Sequence, residues 1–158
     1  MIQEEPEKFK ELCEKVGLAL MMGQKLQFAL AHYYSVFHMV HSKWSKEKAK
    51  EKISFHLSKP MGVIVSSIEK DSPSKPELFE EIIEFKKQRN WLAHDFDEES
   101  TPFLTQGERF DYYIQKMEKI TIHANEIMLK LDQIGEALIP VRGWAVSSSC
   151  NITKNIHA

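Results

Sequence analysis

Arg89, Asn90 and His94 stand close together in the stretch RNWLAHDF, residues 89–96. An imidazole exchanges a proton near neutral pH, so it can accept one from a ribose 2'-hydroxyl or donate one to a leaving oxygen. A guanidinium presents a rigid fork that matches the non-bridging oxygens of a phosphodiester and the charge that develops on them. A carboxamide next to both can orient either group or hold the scissile phosphate. Together these three residue types suit chemistry at a phosphodiester.

The stretch ends a segment that reads as an amphipathic helix. Leu78, Ile82 and Phe85 are spaced four and three apart, and Leu92 and Phe96 continue the row, with Arg89 on the same seam. A guanidinium held there needs an anion or a wet cleft. Two sources remain open from the sequence. An acidic neighbour (Glu81, Glu84 or Asp97) pairs with Arg89 while His94 only caps the helix, or a substrate phosphate supplies the charge. Asn90 and His94, four apart, share a helix face. Arg89 and His94, five apart, are separated by about 140° on an ideal helix. They converge only if the arginine stem reaches across or the last turn unwinds.

Further candidates lie outside this cluster. Lys43, Lys46, Lys48, Lys50 and Lys52 form a basic run diluted by Glu47 and Glu51. Lys46 and Lys50, with Lys86 and Lys87, are the expected phosphate contacts of a bound RNA. Trp91, adjacent to Asn90, is the expected base-stacking residue, with Trp44 and Tyr112 as further aromatic candidates. Tyr33 and Tyr113 fall on core rows. His38 and His41 are three apart, but no third ligand shares their face, so no metal and no cofactor are expected. The acidic run DFDEES, residues 95–100, has no calcium-loop spacing and would repel an RNA backbone unless its carboxylates turn away.

The elements that position these residues are all helical. Two heptad rows run through the first segment: Phe9, Val16, Gly23, Leu30, Phe37 and Leu12, Ala19, Leu26, Tyr33, Val40. Gly17 and Gly23 imply a kink or a close crossing. Many further apolar residues, among them Leu18, Met21 and Phe28, place this helix centrally in a bundle or in a subunit interface. Ser45 caps a basic helix that Lys59-Pro60 interrupts, and a short apolar helix begins near Met61. Capping boxes at Ser74-x-x-Glu77 and Thr105-x-x-Glu108 start the next helix and the last one. The DFDEESTPF stretch separates those two helices. The last helix carries Phe110, Met117, Ala124, Leu131, Leu138 and Tyr113, Ile120, Ile127, Ile134, and ends at Pro140. The expectation is one all-α domain over 1–140, an antiparallel bundle of four to five helices with two long ones, followed by a C-terminal tail over 141–158 with Trp144 docked on the body.

The motif and its setting resemble the HEPN superfamily, in which an arginine, often followed by a polar residue, precedes a histidine by four to six positions. Arg89, Asn90 and His94 match that pattern, with Leu92 and Phe96 at flanking apolar positions. The resemblance also covers the all-helical bundle, the long first helix and the late position of the motif. It implies a metal-independent endoribonuclease of toxin or defence type, or a non-catalytic relative that binds RNA, a nucleotide or a protein partner. It further implies a homodimer in which two motifs face each other, and an antitoxin or regulatory protein as possible partner.

Composition sets outer bounds on these readings. A chain of 158 residues with 42% apolar and 28% charged residues has the make-up of a folded domain rather than a disordered one. A net charge of -2 gives no overall basic field, so any nucleic-acid site must be a local patch. Cys13 and Cys150 suggest neither a disulfide framework nor a zinc motif. The acidic, polar first residues do not read as a signal peptide, and no apolar run spans a bilayer. The expected location is cytoplasmic.

Overall fold

The heptad rows of the first segment form an unbroken helix, α1, over Glu4–His41. The computed structural model describes residues 4–71 and 76–138, and every regular element among them is a helix. After α1 come α2 (Lys46–Leu57), α3 (Met61–Asp71), α4 (Pro76–His94), α5 (Phe96–Leu104) and α6 (Phe110–Leu138). The Ser74 capping box, the residues from 139 onward, Trp144 and Cys150 lie outside the described residues.

Two ion pairs fix the relation of the long helices. Lys8 reaches Asp111 at 3.1 Å and Lys15 reaches Glu118 at 2.9 Å. Both partners advance by seven residues, so α1 and α6 run parallel. α4 runs against α6, because Glu81 meets Lys130 at 2.7 Å while Gln88 meets His123 at 3.0 Å. The core between them contains Leu26, Leu30, Ile64, Ile82, Phe85, Tyr113, Met117, Ile120 and Ile127, all buried. Burying such side chains is the main term that holds the helices together. Phe9, expected on a core row, is exposed in the first turns of α1, where α5 packs beside it loosely.

Around the C-terminal half of α1, polar groups are paired with backbone and side-chain partners. Ser45 caps α2 as expected, accepting from the Lys48 amide at 3.1 Å. The Gln27 amide donates to the carbonyls of His56 (3.1 Å) and Lys59 (2.7 Å), so the α2–α3 connection is pinned to α1. The Tyr34 hydroxyl donates to Asp71 at 2.7 Å, and burial pushes its ionisation far above the usual tyrosine range. His56 is buried, its Nδ1–H donating to the Lys52 carbonyl (2.9 Å) and its Nε2 lying 3.2 Å from the Ser67 hydroxyl. His38 stacks on Trp44 with ring centroids 4.4 Å apart, and its Nδ1 sits 2.8 Å from the Ser42 hydroxyl. Burial lowers the proton affinity of both histidines.

One expected boundary is corrected. Thr105-x-x-Glu108 does not open the last helix: Thr105 closes α5, its hydroxyl donating back to the Thr101 carbonyl at 2.9 Å. The chain then turns through Gly107 at φ 74° and Arg109 at φ 63° before α6 starts at Phe110. The acidic run is itself helical, since Asp97, Glu98 and Glu99 occupy the first turn of α5 and complement the positive end of its dipole. Pro102 then costs a hydrogen bond and keeps this helix short. Among the described residues, no helix is long and apolar enough to cross a membrane.

Candidate functional site

α4 places the three motif residues at its C-terminal end, and α1 decides how Arg89 is held. An added Cβ at Gly23 would stand 3.5 Å from the Arg89 Cγ and 3.8 Å from the Phe85 ring. The glycine therefore marks a close crossing rather than a kink, and the aliphatic stem of Arg89 lies across it. Arg89 is half-buried. Among the described residues its guanidinium has neither a hydrogen bond nor an ion pair. The neighbouring carboxylates are engaged elsewhere: Glu81 pairs with Lys130, and Glu84 faces Lys87 at 4.0 Å. The acidic-neighbour alternative for Arg89 thus has no support in the geometry.

Asn90 and His94 lie exposed on the outer side of α4, with no side-chain hydrogen bond among the described residues. The helix stays regular to its end, because the Asp95 amide still donates to the Trp91 carbonyl at 2.9 Å. The last turn does not unwind, so Arg89 faces α1 while His94 faces outward, about 140° away. Only Asp95 separates α4 from α5.

Trp91 is engaged within the chain. Its indole N–H donates to Glu99 at 2.6 Å, the Lys116 ammonium stands 3.5 Å from the ring centroid, and Phe96 meets it edge-on. A base reaches the lysine-covered face only by displacing Lys116. The same Glu99 carboxylate accepts from the Tyr113 hydroxyl at 3.5 Å, while Glu99 stays exposed, as do Asp95, Asp97 and Glu98.

The expected lysines divide into two groups. Lys86 packs its stem near Gly62 at the start of α3, whereas Lys87, two residues from Arg89 and so about 200° around α4, is exposed on the other face beside Glu84. Lys46 and Lys50 lie elsewhere. Ala49 of α2 accepts from Ser35 of α1, and Ser35 is twelve residues beyond Gly23. That separation is about 18 Å along the helix. The nearer cation is Lys59, which sequence reasoning passed over. Its carbonyl rests on Gln27, one turn from Gly23. The interrupting Lys-Pro pair was the available signal, because a connection between two helices brings its side chains to one end of both.

Among the described residues no group of three or more His, Cys, Asp or Glu side chains is placed to hold a metal ion. Comparison with protein-family models, with curated proteins and with solved structures gave no match. The site is accordingly read from the chemistry of its own residues.

Proposed function

We propose that this chain is a HEPN-like RNA-processing protein that cleaves RNA without a metal. Arg89 stabilises the charge developing on the phosphate, His94 acts as general acid or base, and Asn90 positions the phosphodiester. The observation that carries this reading is Arg89, half-buried with its stem across Gly23 and with no anionic partner for its guanidinium among the described residues. A cation partly withdrawn from water gains from an anion that meets it. A phosphate supplied from outside is such an anion.

The outward turn of His94 adds a second element. Arg89 and His94 face different ways on one regular helix, so a working constellation needs a second copy that brings two α4 ends together. The test is RNA cleavage in EDTA by the wild type, Arg89→Ala and His94→Ala, with circular dichroism confirming the fold. Loss of activity in both variants is expected, and unchanged activity in both removes the assignment. Light scattering at micromolar concentration should give a dimer, and a monomer would count against the composite site.

A specific observation favours a second reading, that of a non-catalytic scaffold or regulator that binds RNA, a nucleotide or a protein partner such as an antitoxin. Leu18, Met21 and Phe28 of α1 and Ile122 and Leu129 of α6 are exposed. On an ideal helix the three α1 residues stand about 140° or more from Gly23, and so point away from α4. A partner seated on that flank would leave the two α4 ends apart. Wild-type protein that binds RNA or a nucleotide but never cleaves would decide for this reading.

A further inference from the structure

The residues Trp44, Lys48, Lys52, Phe55 and Lys59 are four, four, three and four apart. Lys48, Lys52 and Phe55 share one face of α2, Trp44 and Lys59 flank its two ends, and the structure pairs the five as aromatic rings and cations. The Lys48 ammonium lies 4.9 Å from the Trp44 ring centroid. Phe55 stands between two ammonium groups, Lys52 at 5.7 Å and Lys59 at 5.6 Å. None of these three lysines forms an ion pair among the described residues. Phe55 is 45% exposed, whereas Ala49 and His56 of the same helix are buried. The backbone beside it is held firmly, since the Ser58 hydroxyl donates to the Phe55 carbonyl at 2.7 Å and Gln27 fixes His56 and Lys59.

We infer that this strip is a binding site for single-stranded nucleic acid, with a base stacked on Phe55 and flanking phosphates on Lys52 and Lys59. An exposed ring between unpaired cations provides both halves of single-strand recognition, a stacking face and charges that track the backbone. Three lysines outnumber the one carboxylate on this face, Glu51, about 40° around α2 from Phe55, so the local charge is positive even though the whole chain is slightly acidic. Position adds to this. The strip ends at Lys59, one turn of α1 from the crossing of Gly23 and Arg89. A strand lying on it is delivered to the end of α4. The link to cleavage rests on the reading of Arg89 and His94 given above, whereas the binding site stands on the strip alone.

A lipid surface is the competing occupant of a basic helix with exposed apolar residues. The geometry disfavours it, because the other exposed apolar residue of α2, Leu57, is two positions from Phe55 and so on the opposite flank. A helix that lies in a membrane needs its apolar residues on one face. Lys46 and Lys50 also sit on the opposite flank, which makes them an internal control.

The test uses the full chain and a labelled single-stranded 2'-O-methyl oligonucleotide, which binds but cannot be cleaved through a 2'-hydroxyl. Fluorescence anisotropy should show salt-sensitive binding that prefers the single strand to its duplex. Phe55→Ala is expected to weaken binding about tenfold, the size of one lost base stack, while Phe55→Trp retains it. The double change Lys52→Gln with Lys59→Gln should weaken binding further, and Lys46→Gln with Lys50→Gln should leave it nearly unchanged. Equal losses in the two lysine pairs, or no loss in Phe55→Ala, would overturn the assignment. So would Phe55-dependent binding to phosphatidylserine vesicles without oligonucleotide binding. The two proposals fail separately: strip-dependent binding without cleavage rejects the nuclease and keeps the strip, whereas Arg89-dependent cleavage with binding indifferent to Phe55 does the reverse.

Discussion

Tyr34 and Arg89 both project a polar tip from the inner side of a helix, yet the chain satisfies only the first. The Tyr34 hydroxyl has Asp71, His56 has the Lys52 carbonyl and Ser67, and Gln27 has two carbonyls. At the end of α4, by contrast, Arg89, Asn90 and His94 have no such partners among the described residues. Desolvating a polar group costs free energy wherever it happens. The first region recovers that cost inside the chain and so contributes to the fold. The second does not: water meets the exposed Asn90 and His94, and Arg89 stays half-buried without an anion from the described residues. His38 sharpens the contrast, since its Nε2 is buried without a partner in an otherwise satisfied region. One orphaned atom beneath an aromatic stack belongs to the core, whereas the three unpartnered groups at the end of α4 are those on which the proposed function rests.

The largest expected effect exchanges the roles of two histidines. His94→Ala should lower RNA cleavage at least about a hundredfold, the usual weight of a general acid or base, with thermal stability nearly unchanged. His56→Ala should do the opposite, lowering unfolding free energy by about 3 kcal/mol in urea titrations through lost packing and an unpaired carbonyl. Matching stability losses in the two variants would erase the distinction between the regions. A smaller effect concerns acid. His38 and His56 bind protons less readily when folded than when unfolded. Above the ordinary histidine range both states are neutral and nothing changes. As pH falls below about 6.5 the unfolded chain takes up protons that the folded chain resists, so stability drops. Calorimetry should show a melting temperature lower by about 3 °C or more at mildly acid pH, and His56→Gln should flatten that slope. The smallest effect tests whether pairing matters at all on an exposed surface. Lys130→Ala removes the partner of Glu81, and a loss of only about 0.5 kcal/mol is expected in the same titration.

The fold was largely legible in the sequence because its signals are long. The heptad rows of α1 and α6 repeat over many turns, and core residues such as Leu26, Leu30, Met117 and Ile127 are buried as their spacing predicts. Short signals fared less well. Thr105-x-x-Glu108 satisfies a capping-box pattern, but a left-handed turn at Gly107 and Arg109 moved the helix start past it. The acidic run read as a boundary because acidity was counted, whereas acidic side chains also stabilise a helix start. At the candidate site, the seam position of Arg89 could be read from the spacing of its neighbours. Its freedom from carboxylates could not, because Glu81 is withdrawn by a lysine 49 residues away in sequence. Nor could the cover over Trp91, which comes from Lys116 on another helix.

The parallel run of α1 and α6 has a consequence for how the chain is made. Their contacts join residues such as Lys8 and Asp111, which are 103 positions apart. Closing so long a loop costs entropy before any contact compensates for it, and topologies dominated by such contacts fold slowly. α1 is thus made well before α6, its partner. Until α6 arrives, the part of the α1 seam that α6 covers stays open, and aggregation during synthesis is a hazard of this architecture.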